Sequence, residues 1–168
     1  PPARCALPHS LPSPRFTSRA NSVSLRPEDP FPESRAMNVT PPYLMFLGDV
    51  PDALAAKTAQ GVVDWRRDWC LAQLRLPGCG ADLGLDEMTV PEAVAAGAKT
   101  MVVGVVNAGG VLPEHWIDTI VAALEAGLDV ASGLHVRLGS IARIAAAAEV
   151  DGRKLTDLRQ PDRSYATG

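Results

Sequence analysis

From Tyr43 onward, short apolar runs alternate with Ala-rich stretches whose apolar residues recur at helical spacing. The run "YLMFLG" (43–48) predicts a buried strand ending at Gly48-Asp49, and "DALAAKTAQGVVDW" (52–65) predicts a helix with Asp52 near its N-cap. A second strand is predicted over "CLAQL" (70–74). It leads through the Gly- and Pro-containing loop "RLPGCGADLGLDEM" to a helix over "TVPEAVAAGA", where Thr89 caps, Pro91 suits the first turn and Gly97 ends the helix. The third strand falls within "KTMVVGVVNAGG" (99–110), followed by a helix over "PEHWIDTIVAALEAG" with Pro113 near its start and Gly127 as its stop. "LDVASG" (128–133) predicts a fourth strand, "SIARIAAAAEV" (140–150) a fourth helix, and "KLTDLR" (154–159) a short last strand.

Strands that alternate with helices imply the α/β class: an open parallel sheet of about five strands with right-handed crossovers and helices on both faces. The "VVGVV" run supports a central strand, because a strand buried on both faces need not alternate apolar with polar residues.

Composition changes at residue 37. Residues 1–36 are rich in Pro, Ser and Arg, show little apolar periodicity and carry no acidic residue before Glu28, so they read as a disordered leader. An organelle transit peptide shares that composition, but no clear amphipathic helix is present and Met37 stands just before the first apolar strand. The division is therefore a leader or upstream extension over 1–36, a folded domain over 37–158 and a linker over 159–168. The 168 residues, 46% hydrophobic, suffice for one globular core. A formal charge of −3 gives no global attraction to nucleic acid or an anionic bilayer, and no apolar run approaches the roughly 20 residues of a spanning helix. Three cysteines without a CxxC pair or a histidine cluster suggest neither a disulfide framework nor a metal site. A soluble protein of the reducing cytoplasm is the expectation.

In such sheets ligands bind beyond the carboxyl ends of the strands, where backbone N–H groups and helix N-termini face outward. Four loops are expected to gather there: Gly48-Asp49, Arg75 to Asp82, Asn107-Ala108-Gly109-Gly110, and Ser132 to His135. Gly109 and Gly110 permit close backbone approach by a phosphate or carboxylate, or simply turn the chain. His135 is the candidate acid or base, with a capping or surface histidine as the alternative. Arg75 can clamp a carboxylate bidentately or close a salt bridge at the sheet edge. Asp49, Asn107 and Ser132 complete the candidate substrate-binding residues. Asp49 and Lys57 also read as a helix cap and a solvated lysine, and His115, in a first helical turn, as structural or exposed. Cys79 has no neighbouring histidine to activate it. "NAGG" is similar to the Asn-Ala-Gly of short-chain dehydrogenases, but the first turn is "GDVPDA" rather than G-x-G-x-x-G and no Tyr-x-x-x-Lys is present, which argues against NAD(P).

The segments "PYLMFLGDVPDALAAKTAQGVVDWR", "WCLAQLRLPGCGADLGL", "GAKTMVVGVVNAGGVLPEHW" and "ALEAGLDVASGLHVRL", in this order, resemble the N-terminal Rossmann-like domain of the D-glutamate N-acetyltransferase family. The resemblance covers about residues 42–160. It implies acetyl transfer from acetyl-CoA, as co-substrate, to the amino group of D-glutamate. It also implies a C-terminal P-loop domain that holds most of the coenzyme; the chain has no G-x-x-x-x-G-K-[ST] motif, and no cofactor is evident in it. On that reading the chain alone is inactive, its partners are an amino-acid substrate and its own P-loop domain, and a homo-oligomer is compatible with its Ala-rich helices. Two alternatives stay open: a non-catalytic module for ligand binding or oligomerisation, and part of a P-loop ATP- or GTP-dependent enzyme.

Overall fold

The structure is a computed structural model that describes residues 39–106, 109 and 111–159. The predicted leader and all of the predicted linker except Arg159 lie outside the described residues, as do Asn107, Ala108 and Gly110. Five parallel strands, β1 (Tyr43–Gly48), β2 (Cys70–Arg75), β3 (Thr100–Val103), β4 (Asp129–Ser132) and β5 (Leu155–Asp157), form one sheet in the order β2-β1-β3-β4-β5. The helices are α1 (Lys57–Arg66), α2 (Val90–Ala95), α3 (Glu114–Glu125) and α4 (Ala142–Val150). This is the Rossmann-like α/β architecture. Right-handed crossovers put α1 on one face of the sheet and α2, α3 and α4 on the other, because the chain moves left once, from β1 to β2, and rightward thereafter.

Buried side chains on both faces make the core. Phe46 and Val103 are register partners and share a face, where the Trp116 indole of α3 meets the Phe46 ring edge-on at 5.6 Å. Ile120, Ala123 and Leu124 extend the buried side of α3. Ion pairs from Arg143 to Glu114 (3.0 Å) and Asp118 (2.7 Å) tie α4 to α3. On the other face Met45, Val102 and Ala131 lie in one row, linked by register.

Two boundaries differ from expectation, for one reason. The α-helix expected from Asp52 begins at Lys57, although the Asp52 carboxylate does accept the Ala55 N–H (3.0 Å). The third strand stops at Val103. Between them, Gly104 O accepts the Ala59 N–H (2.8 Å) and Ala55 O accepts the Val106 N–H (2.8 Å), so backbone that would extend either element instead joins the two. A Cβ on Gly104 would stand 2.8 Å from the Cα and Cβ of Ala59, which makes glycine the residue that lets α1 reach the sheet. At α2 the reading from sequence holds in detail: Thr89 and Glu92 form a reciprocal capping box and Pro91 sits in the first turn.

Candidate functional site

All five strands are parallel, so their carboxyl ends share one edge. The chain leaves β1 toward β2 on one side and returns to β3 on the other. That reversal makes the space between the β1 and β3 exits the topological switch point, the position at which open α/β sheets receive ligands.

One side-chain cluster stands there. Gly48, with φ +58°, ends β1 in a left-handed turn, and a Cβ in its place would collide with the Trp116 indole. The turn aims Asp49 at the first turn of α3. Its Oδ1 accepts the Trp116 Nε1–H at 2.7 Å and its Oδ2 lies 3.0 Å from His115 Nε2. The indole hydrogen bond, first, holds the Asp49 carboxyl below its ordinary range against the opposing effect of burial, with lesser help from the imidazole. Asp49 is thus an anion, and an anion beside Nε2 selects the tautomer with its proton there, leaving Nδ1 as the basic nitrogen. His115 remains half-exposed while its partner Trp116 is buried. The arrangement is a fixed, solvent-accessible base oriented by a carboxylate.

Arg75 and its neighbours make a different kind of cluster. The Arg75 Nε donates to Glu87 Oε2 at 2.8 Å, and its Nη1 lies 3.6 Å from Asp82 Oδ2. The buried Gln73 side chain donates to Asp82 Oδ1 (2.9 Å) and accepts the Leu83 N–H (2.8 Å). Together these bonds bind the loop after β2 back onto the edge of the sheet, next to Gly48, whose carbonyl accepts the Leu76 N–H (2.8 Å).

Residues 75–161, just over half of the chain, match the family described as a Rossmann-like domain of unknown function (DUF1611_N). The chain belongs to this family. A relative from Tritonibacter scottomollicae, named D-glutamate N-acetyltransferase, is 56% identical over 124 residues, which make up 74% of this chain and 37% of the relative. A second, with the same name, from a Pseudoalteromonas species, is 39% identical over 132 residues, or 79% of this chain and 40% of that protein. The chain therefore spans about two fifths of the length of these curated relatives. The crystal structure of a DUF1611 family protein from Anabaena variabilis superimposes with a TM-score of 0.58 at 20% identity, covering 75% of this chain and 39% of the other, and shares the fold.

The residues singled out from sequence fall in three places. Asp49 lies at the switch point, and the exposed Gly109, with φ +83°, lies on the segment leading to α3; Asn107 and Gly110 of the same segment are outside the described residues. Arg75 is the register partner of Gly48, next to Asp49 in the chain, and its guanidinium is engaged by Glu87. Ser132 is buried, its Oγ accepting the Leu134 N–H at 3.1 Å, and His135 is exposed beyond it, its Nε2 accepting from Arg159 Nη1 at 3.2 Å. His115 was read from sequence as structural or exposed. The signal that joins it to Asp49 is weak, an Asp after a strand-ending Gly and a His-Trp pair in a first helical turn 66 residues on.

Proposed function

We propose that this chain is the N-terminal part of an enzyme that transfers an acetyl group from acetyl-CoA to the amino group of D-glutamate. The observation that carries the proposal is the 56% identity over 124 residues to a protein named for that reaction. The reaction joins the amine nitrogen to the thioester carbonyl carbon, breaks the C–S bond, and passes the ammonium proton to a base while the CoA thiolate leaves. The Asp49–His115 pair is suited to take that proton at Nδ1, and Asp49 then stabilises the imidazolium. His135 is the second candidate base. Amides of the segment Asn107 to Gly110 are candidates for the oxyanion or the substrate carboxylates, with Ser132 and Arg75 as flanking candidates. Acetyl-CoA is assigned mainly to a C-terminal P-loop domain, and the reaction to the cytoplasm, where thiols such as Cys70 and Cys79 stay reduced.

The test joins this chain at Arg159 to the C-terminal remainder of the Tritonibacter relative and follows acetylation of D-glutamate, with L-glutamate as control. Transfer to D-glutamate, reduced on the order of 10²-fold or more by His115→Ala and unchanged by His135→Ala, is expected. A folded long protein that leaves D-glutamate unmodified overturns the activity. Full turnover in His115→Ala overturns the assignment of the base.

A further inference from the structure

The two faces of the sheet are not equally covered. On the α1 face, Ala59 and Val63 of the helix are buried on the sheet, while Thr58, Gly61, Val62 and Trp65, at helical spacing of three and four, flank an apolar groove of about 420 Å³. Its floor is Val102 of β3 and Ala131 of β4, its amino end is Tyr43 and Trp69, and its far wall includes Leu158, the residue that follows β5. Trp65 is 87% exposed. Parallel sheets are covered by helices on both faces, so this strip over β3 and β4 is the place of a second helix beside α1.

We propose that the groove is the seat of a helix supplied by the polypeptide that follows β5 in the longer proteins of this family, and so the contact that locks this domain to the C-terminal remainder. Three observations select that occupant over others. The chain matches an N-terminal domain and spans only 37% and 40% of its two relatives, so in such proteins most of the polypeptide lies beyond it. The chain leaves the sheet at Leu158, on the wall of the groove, with the Leu158 N–H held by Ser132 O at 2.9 Å. A helix that turns back from there, antiparallel to the strands as α/β helices are, crosses Ala131 and Val102 and ends at Trp69. The sheet is four to six residues deep there, about 13–20 Å at the strand rise, which a helix of roughly 9–13 residues spans. The seat needs a helix with one apolar stripe, because among the described residues its lining is almost wholly apolar, with Arg66 drawn aside over the Trp69 ring at 3.4 Å and onto Asp68.

This inference rests on the reading of the chain as part of a longer protein but not on its reaction, so docking is read by labelling and catalysis by acetyl transfer on the same sample. Hydroxyl-radical labelling with mass spectrometry is applied to the 168-residue chain and to the long protein joined at Arg159. Trp65 labelling that falls several-fold in the long protein, and is restored by Val62→Lys with the circular dichroism unchanged, is the expected result. Equal labelling of Trp65 in both folded proteins overturns the proposal. Protection already present in the 168-residue chain overturns it too, in favour of a second copy if light scattering gives twice the chain mass and, if it does not, of residues 1–38, which lead into Val39 on the groove's lining, or of a small apolar ligand, the two being told apart by deleting residues 1–36. Should the joined protein not fold, the same labelling of the unmodified Tritonibacter relative, at the position aligned with Trp65, decides: exposure there overturns the proposal and protection that is lost on introducing Lys at the position aligned with Val62 supports it.

Discussion

The α3 face and the α1 face of the same sheet bury side chains in opposite ways. On the first, Trp116, Ile120 and Leu124 fill the space against Phe46 and its neighbours, and α4 covers α3 in turn. On the second, α1 approaches so closely that only Gly104 fits beneath it, yet leaves Val62 and Trp65 beside a groove. A strand sequence that is apolar on both faces demands cover on both, but the cover itself depends on how much chain follows. Among the described residues one face is filled and the other is covered only near the helix.

That difference sets an order of expected effects. Ile120→Ala removes a fully buried side chain from the filled face and should cost about 2–5 kcal/mol, read as a lower urea midpoint. Gly104→Ala tests the close approach on the other face. Its added methyl must displace α1 backbone rather than a flexible side chain, so a loss of about 1–3 kcal/mol is expected, and wild-type stability would show that α1 shifts freely. Asp49→Ala leaves the Trp116 indole N–H without its acceptor, and because the carboxylate is partly exposed the loss should be about 1 kcal/mol.

The same carboxylate gives a pH signature. Folding lowers the Asp49 pKa, chiefly through the indole hydrogen bond, so the folded state favours its charged form. Its contribution is fully present above the ordinary value of about 3.9 and is lost as pH falls through the lower folded value. Asp49→Ala should therefore flatten the acid limb of stability below about pH 4. The smallest effect is expected at Trp65→Ala, which in the 168-residue chain should change stability by no more than about 0.5 kcal/mol. A large loss there would mean that the α1 face is already covered.

Much of the fold is legible in the residue pattern. The existence and order of the five strands, the Thr89 cap with Pro91, and the stop at Gly127 (φ +94°) are local signals that the structure bears out, whereas the end of the third strand at Val103 is not local. The start of α1 was not legible, because Asp52 does make a cap-like bond and only the ties of Ala55 and Ala59 to the β3 exit delay the helix. For the site, parallel strand order places the exits of β1, β3 and β4 on one edge, but local spacing does not say which side chains meet there. The ion pair of Arg75 with Glu87 and the burial of Ser132 are tertiary facts that their loop positions alone do not announce.

What the sequence determined by itself is the class and order of elements, since hydrophobic period, caps and turn glycines act within a few residues of one another. It also marked the glycine-rich exit of β3, where Gly104 rather than Gly109 meets another element closely. Only the tertiary structure decided which residues share a site and which surface is left open. Asp49 and His115 are 66 positions apart, and Val62, Ala131 and Leu158 come from three separate units of the chain. Such neighbours are chosen by strand order and crossover hand, which no spacing along a single chain segment records.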